Sequence, residues 1–291
     1  MVLSCAPFTV TSDPAKSQDA ALLAQTSDAC GRLREEVGRV IVGQTSVVDH
    51  LIVALLTQGH ALLVGVPGLA KTLLVASLSR VLDLSFGRVQ FTPDLLPADI
   101  TGTDVLTEHD GRRELSFLPG PIFKNLVLAD EINRTPPKTQ AALLQAMQER
   151  AVTVGGNTHA LPLPFQVFAT RNPIEQEGTY SLPEAQLDRF LLEVHVEYPS
   201  EDEERKIARR TTSGQNPEVN RVLSADELRM LQAFIPRMPV TDAAVELAVR
   251  LARATRPSEA ASSDVKSYVR FGSGPRGSQA LVLAAKAHAA I

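Results

Sequence analysis

The chain has 291 residues, enough for two domains of about 100 to 200 residues each. Hydrophobic residues make up 44% and charged residues 21% of it, a balance that excludes wholesale disorder. The formal net charge of −4 argues against a surface that is basic overall and binds nucleic acid. Two cysteines are too few for a disulfide framework, and no apolar run approaches the roughly 20 residues of a membrane-spanning helix. We therefore expect a cytoplasmic protein without a membrane segment.

Short apolar runs that alternate with helical patterns dominate the first two thirds of the chain. Residues 1–27 have no clear periodicity and predict a mobile leader, followed by a helix that begins near Asp28 and a second helix over 46–56. The alternation that follows is typical of βαβ units and predicts an α/β fold, a parallel sheet between two layers of helices. The predicted strands cover 61–64, 88–91, 126–129, 166–169 and 191–196, and the helices among them cover 71–82 and 139–148.

Two predicted hairpins, 104–117 and 151–161, interrupt this alternation, and only helical patterns follow residue 200. We therefore predict an α/β core over 28–200 and a small all-helical domain over 201–291. The chain ends inside a helical pattern at Ile291, which predicts a helical domain truncated at its C-terminus.

A glycine-rich turn between a predicted strand and a predicted helix is typical of a phosphate-binding P-loop. Backbone amides at such a helix start can face anionic oxygens, and the helix dipole favours them. Lys71 is then expected to neutralise the β- and γ-phosphates and Thr72 to coordinate Mg²⁺. Ala70 stands where a glycine is usual, and its methyl group is tolerable only in a right-handed conformation. The predicted nucleotide-binding residues here are Gly65, Val66, Pro67, Gly68, Leu69, Ala70, Lys71, Thr72 and Leu73.

Polar residues follow two further predicted strands. Asp130 is expected to hold Mg²⁺ through a water molecule, and Glu131 to polarise the water that attacks the γ-phosphate. Asn172 follows the strand over 166–169, where α/β sheets bind ligands, and could position that water. Each motif has a structural alternative: surface residues for the P-loop, helix capping for the two acids, and a turn before Pro173 for Asn172.

Together these motifs resemble the AAA+ ATPases and, more narrowly, the MoxR family. The broad resemblance depends on the P-loop, the Asp130-Glu131 pair and Asn172 in this order. The narrower one depends on longer stretches and covers the chain from about residue 29 to its end: IVGQ (41–44), GVPGLAKT (65–72), QFTPDLLPAD (90–99), DEINR (130–134) and GTYSLPEAQLDRF (178–190).

The resemblance implies further residue roles. Arg189 corresponds to an arginine finger that reaches the nucleotide of a neighbouring subunit, and Arg276 to the sensor-2 arginine of the helical domain. Arg134 and Arg150 are weaker candidates for an interface. The two hairpins correspond to inserts that face a central pore. The segment lining the adenine pocket is Val42, Gly43 and Gln44.

The implied function is Mg²⁺-dependent ATP hydrolysis by a ring-forming homo-oligomer, expected to be a hexamer. The implied role is that of a chaperone-like remodeller in protein maturation or metal insertion, with von Willebrand factor A domain proteins as partners. Two alternatives remain open. A non-catalytic nucleotide switch conflicts with the presence of Glu131 and Arg189, and a DNA-working motor has only the local basic pair Arg112-Arg113 in its favour.

Overall fold

The computed structural model describes residues 14–109, 112–174, 179–214, 217–259 and 261–291. Nine strands are present in these ranges, and the five predicted strands are among them. Numbered along the chain, they are β1 (Ala61–Val64), β2 (Phe86–Gln90), β3 (Gly102–His109), β4 (Arg112–Pro119), β5 (Leu126–Asp130), β6 (Ala151–Val154), β7 (Asn157–Ala160), β8 (Gln166–Arg171) and β9 (Leu192–His195).

Helices precede, separate and follow these strands. They are α1 (Pro14–Gly38), α2 (Thr45–Leu56), α3 (Lys71–Val81), α4 (Pro97–Thr101), α5 (Pro137–Glu149), α6 (Glu184–Leu187), α7 (Glu201–Thr211), α8 (Ala225–Phe234), α9 (Asp242–Ala254), α10 (Ser263–Tyr268) and α11 (Pro275–Ala290). Short 3-10 turns cover Ile132–Arg134 and Ile235–Arg237. Among the described residues, no helix combines the length and the apolar composition needed to cross a lipid bilayer.

Five strands form one sheet in the order β2-β5-β8-β1-β9, and every pair in it is parallel. The predicted α/β fold with a parallel sheet is therefore confirmed. Because all strands run the same way, the residues at their carboxyl ends gather at one edge of the sheet. The register places Gln90 opposite Asp130 at that edge.

Alternate strand residues face two separate hydrophobic cores. Ala61 and Leu63 of β1 contribute to a core with α1, α2 and α3, whereas Leu62 and Val64 contribute to a core with α4 and α5. Burial on both faces explains why these strands have continuous apolar sequences rather than alternating ones.

The two predicted hairpins are confirmed as the antiparallel pairs β3–β4 and β6–β7. Residues 110 and 111, at the predicted turn of the first hairpin, lie outside the described residues. The hairpins contact each other, because the Phe117 ring stacks on the His159 ring with centroids 3.8 Å apart. Leu106 and Leu115 are cross-strand neighbours on β3–β4 and are 63% and 68% exposed.

The N-terminal helix is longer than the sequence pattern indicates. It begins at Pro14 rather than near Asp28, so residues 14–27 of the predicted leader are helical, and residues 1–13 lie outside the described residues. At the other end, Ser200 caps α7 at the predicted domain boundary. Residues of α8 and α11 nevertheless pack into the same core as α1 and α2.

Buried His60, which precedes β1, makes the stability of the fold depend on pH. Its Nδ1 accepts a hydrogen bond from the Val167 amide at 2.9 Å, and burial lowers its pKa to about 4. The unfolded chain binds a proton near pH 6.5, so the free energy of unfolding should fall as the pH drops from about 6.5 to 4, by up to about 3 kcal/mol. Denaturant unfolding at pH 7 and at pH 4.5 measures this loss.

A matched pair of variants isolates the contribution of His60. His60→Asn keeps an acceptor but does not titrate, and should flatten the pH dependence in this window. His50→Asn replaces an exposed histidine elsewhere in the fold and should leave the dependence as in the wild type. An unchanged slope in His60→Asn would contradict the assignment.

Candidate functional site

The loop between β1 and α3 and the carboxyl ends of β5 and β8 enclose a cavity of about 420 Å³. Most of the residues that the sequence predicts to contact phosphates and metal therefore lie together. The cavity is lined by Pro67, Gly68, Leu69, Ala70, Lys71, Thr72, Leu73, Asp130, Glu131, Thr170 and Asn172.

The N-terminus of α3 opens onto this cavity without a side-chain cap. The first amides of a helix have no acceptor within the helix, so those of α3 are available to anionic oxygens. Lys71 Nζ donates to the carbonyl oxygens of Gly65 and Val66 at 2.5 and 2.8 Å. Partial burial lowers the pKa of Lys71, while the charges of Asp130 and Glu131 act in the opposite direction. The loop thus holds a cation beside a row of amide donors.

Close packing requires glycine at position 65 of the loop, whereas Ala70 adopts a strained backbone conformation. A Cβ on Gly65 would lie 2.6 Å from the Val196 carbonyl oxygen, so only glycine fits there. Ala70 has φ 55° and ψ 21°, which is left-handed rather than right-handed. An alanine is free of strain here only in the right-handed conformation. The left-handed conformation of Ala70 costs of the order of 1 kcal/mol.

Replacing Ala70 by glycine should relieve this strain and raise the free energy of unfolding by about 1 kcal/mol. Ala141→Gly is the matched control, because Ala141 lies exposed in the right-handed helix α5 and its replacement should lower stability by about 1 kcal/mol. Denaturant unfolding measures both. Destabilisation by Ala70→Gly would show that the loop carries no such strain.

Asp130 is buried at the end of β5 and both of its oxygens are engaged. Oδ1 accepts from Thr170 Oγ1 at 2.6 Å. Oδ2 lies 3.4 Å from Thr72 Oγ1 and accepts from Arg88 Nη2 at 2.7 Å and Nε at 3.2 Å. The carboxylate and the Thr72 hydroxyl thus face each other across the cavity floor. They are hard oxygen donors of the kind that suits Mg²⁺.

Glu131 has φ 59° and ψ 49°, a left-handed conformation that turns its side chain away from the line of β5. Its backbone amide donates to Thr170 Oγ1 at 2.8 Å. Its Oε2 accepts from Gln90 Nε2 at 2.8 Å and pairs with Arg134 Nη1 at 3.2 Å. A strained non-glycine residue that points a carboxylate at a cavity is typical of a functional site.

Asn172 is buried directly after β8, and its Oδ1 accepts the Ile174 amide at 3.1 Å. The predicted turn and the predicted site position are therefore compatible. The sequence motifs do not single out Thr170, Arg88 or Gln90, which fix the two acids. The available signal is the polar alternation of Arg88 and Gln90 along β2, on the strand beside β5.

A second cavity of about 130 Å³ adjoins the first and shares Gly68, Leu69, Ala70 and Leu73 with it. Its remaining lining is largely apolar, as a flat heteroaromatic ring requires. The predicted residues Val42 and Gln44 are in that lining. Its other residues are Val40, Ile41, Pro199, Ile207, Arg210 and Thr211.

Gln44 is held in the lining of this second cavity by one side-chain hydrogen bond. Its Nε2 donates to the Leu69 carbonyl oxygen at 3.2 Å, while its buried Oε1 has no hydrogen-bond partner among the described residues. Gly43 does not line the cavity, and its φ of 70° is a left-handed conformation that glycine adopts without strain.

Arg189 and Arg276 lie together in a third cavity of about 370 Å³, beside Gly59 and His60. Arg276 Nη1 pairs with Asp188 Oδ2 at 3.1 Å, and no described residue forms an ion pair with Arg189. Neither arginine lines the phosphate cavity of its own chain. The nucleotide-binding role expected for Arg276 therefore stays a prediction, since Arg276 does not line the phosphate cavity of its own chain. The physical reason is that α11 packs against α9, α2 and α1, which places its N-terminus beside Arg189.

Comparison with known proteins agrees with this geometry. Residues 60–192, which include the P-loop and both acids, match the model of the ATPase family associated with various cellular activities (AAA). The chain superposes with a TM-score of 0.85 on the crystal structure of a proposed ATPase from Cytophaga hutchinsonii. That protein is 40% identical, and the match covers 94% of this chain and 83% of the other.

Curated relatives extend the similarity beyond the matched domain. The chain is 49% identical over 257 residues to the chaperone MoxR1 of Mycobacterium tuberculosis, covering 88% of this chain and 67% of that protein. It is 43% identical over 260 residues to the uncharacterised protein YeaC of Bacillus subtilis, covering 89% and 78%. Together with the P-loop and the acid pair, these similarities show that the chain belongs to the MoxR family of AAA+ ATPases.

Proposed function

We propose that the protein binds and hydrolyses ATP with Mg²⁺ in the two adjoining cavities. The observation that carries this proposal is the convergence of Lys71, Asp130 and Glu131 on one cavity that continues into an apolar one. The phosphates fit the uncapped amides of α3, and the largely apolar lining of the second cavity suits the adenine ring.

In this proposal each residue has a distinct task. Lys71 leaves the carbonyl groups of the loop to contact the β- and γ-phosphates, and the α3 amides orient them. Thr72 and Asp130 would hold Mg²⁺, which when bound offsets the negative charge of the phosphates. Glu131 accepts a proton from the attacking water, and Asn172 holds that water in line.

We also propose a ring-forming homo-oligomer, expected to be a hexamer from the resemblance to the MoxR family, and the position of the two arginines supports a contact between subunits. Arg189 and Arg276 are absent from the lining of the phosphate cavity and lie on one surface region together. An arginine finger has to approach the γ-phosphate, so we infer that this region meets the cavity of a neighbouring subunit. Arg276 then acts between subunits rather than within one.

The cellular role that we propose is chaperone-like remodelling of other proteins in maturation or metal insertion. It is supported by the similarity to the chaperone MoxR1 and by the exposed leucines of the β3–β4 hairpin, a surface suited to polypeptide. Proteins with von Willebrand factor A domains are the proposed partners. ATP turnover that rises on addition of DNA would instead support a DNA-working motor.

The experiment that tests nucleotide binding is a titration with ATP and Mg²⁺ of the wild type and of Lys71→Ala. Loss of the ammonium group should weaken ATP affinity at least about 30-fold, because Lys71 is the only lysine or arginine among the described residues that line the phosphate cavity. Lys286→Ala is the matched control, since Lys286 donates to the Pro236 carbonyl outside the cavity. Equal affinities in all three proteins would overturn the proposed site.

A further inference from the structure

Arg88 lies outside the phosphate cavity, yet it holds the carboxylate that would serve the metal. Its guanidinium donates two hydrogen bonds to Asp130 Oδ2, from Nη2 at 2.7 Å and from Nε at 3.2 Å. The same oxygen lies 3.4 Å from Thr72 Oγ1, the other predicted ligand group. The Asp130 oxygen that would face bound Mg²⁺ therefore already accepts two hydrogen bonds from the positively charged guanidinium of Arg88.

The other partner of Asp130 cannot give way as easily. Thr170 Oγ1 donates to Oδ1 at 2.6 Å, and Thr170 is only 1% exposed, so moving it would leave buried polar groups without partners. Arg88 is on the edge strand β2, and its side chain is 49% exposed. Because water can solvate the released guanidinium, Arg88 is the movable partner.

Arg88 also connects Asp130 to Glu131 through one intermediate residue. Its Nη2 donates to Gln90 Oε1 at 2.8 Å, which orients the amide so that Nε2 points at Glu131 Oε2, also at 2.8 Å. Gln90 thus restrains Glu131 while Arg88 remains in place. A change at Asp130 is therefore transmitted through Arg88 and Gln90 to the proposed general base.

We propose that Arg88 is a positioning residue that competes with the metal for Asp130. In the nucleotide-free protein Arg88 neutralises Asp130 and fixes Gln90 on Glu131. When metal-bound nucleotide is present, Arg88 leaves Asp130 for solvent, and Gln90 loses the hydrogen bond that orients its amide. The restraint that Gln90 places on Glu131 is then released, while Glu131 keeps its contact with Arg134. This inference rests on the proposed ATP site and adds a metal-dependent restraint to it.

Competition between Arg88 and Mg²⁺ predicts that removing Arg88 strengthens metal binding rather than weakening it. If the metal weakens the Arg88–Asp130 pair, removal of Arg88 must tighten metal binding by the same factor. We expect Arg88→Met, saturated with ADP, to bind Mg²⁺ about 10-fold more tightly than the wild type. The ADP affinity measured in EDTA should stay within about twofold. Damage to the fold would weaken Mg²⁺ binding, so a merely structural role cannot give this result.

The test is a Mg²⁺ titration that follows the fluorescence of a labelled ADP in the full chain. Arg221→Met is the matched control: it removes one guanidinium from an ion pair with Asp83 at 2.8 Å and should leave Mg²⁺ affinity unchanged. Arg88→Lys keeps the charge but cannot bridge Asp130 and Gln90, and should give an intermediate affinity. This second variant keeps the test valid if Arg88→Met fails to fold.

Two outcomes would overturn the inference, and they differ. If the wild type binds labelled ADP but both Arg88 variants bind Mg²⁺ as the wild type does or more weakly, Arg88 does not compete with the metal. If the wild type binds no ADP even in EDTA, the proposed site fails and the inference fails with it. Tightened Mg²⁺ binding in Arg88→Met, with a smaller tightening in Arg88→Lys and none in Arg221→Met, supports it.

Discussion

Glu131→Gln should bind ATP as tightly as the wild type and hydrolyse it about 10²- to 10⁴-fold more slowly. The amide has the size of the carboxylate and can keep its contacts with Gln90 and Arg134, but it cannot accept a proton from water. Binding depends instead on the loop amides, Lys71 and the apolar cavity, none of which changes. Steady-state phosphate release, together with an ATP-binding isotherm, separates the two effects.

The control for this variant is Glu149→Gln, which removes an exposed carboxylate at the end of α5 that accepts from Gln145. It should hydrolyse ATP at the wild-type rate. Ordinary turnover by Glu131→Gln would mean that another group activates the water. Loss of binding together with turnover would mean that Glu131 supports the cavity rather than the reaction.

Arg189→Ala should lower the rate of ATP hydrolysis about 10³-fold or more without weakening ATP binding to the isolated subunit. The reason is geometric: Arg189 is outside the phosphate cavity of its own chain and, among the described residues, has no ion-pair partner to lose. Mixing Arg189→Ala with Lys71→Ala should restore part of the activity. In mixed rings, a cavity with intact Lys71 can meet a neighbour with intact Arg189.

The control mixture combines Lys71→Ala with Arg221→Ala, whose cavity and Arg189 are intact. The ATP hydrolysis rate of this mixture should be proportional to the fraction of subunits with an intact cavity. Absence of rescue in rings shown by mass to contain both subunits would argue against a finger that acts between subunits. Raising the protein concentration should not restore the activity of Arg189→Ala, because assembly alone cannot replace the guanidinium group.

The sheet could be predicted from the sequence because its strands are short apolar runs set apart by helical patterns. The beginning of α1 could not, because residues 14–27 have no strong apolar period. Among the described side chains of α1, the hydrophobic ones that are buried in the core lie in its second half: Ala29, Cys30, Leu33 and Val37. Short elements such as α4 and α6 have too few residues for a periodic signal.

The phosphate cavity could be predicted because its residues are contiguous in the loop or follow neighbouring strands. Three features required the structure. The left-handed conformation of Ala70 depends on how β1 enters α3, which composition does not reveal. The contacts of Arg88 and Gln90 depend on the register between β2 and β5. The position of Arg276 depends on how α11 packs against α2 and α1.

The central claim is one triphosphate shared between two subunits, and a structure of Glu131→Gln with ATP and Mg²⁺ tests it most directly. The account predicts assembled subunits with the phosphates on residues 67–72, Lys71 moved from the carbonyl groups of Gly65 and Val66 to the phosphates, and the neighbour's Arg189 beside the γ-phosphate. An empty cavity at saturating ATP, or a filled one that no neighbouring arginine approaches, would contradict it.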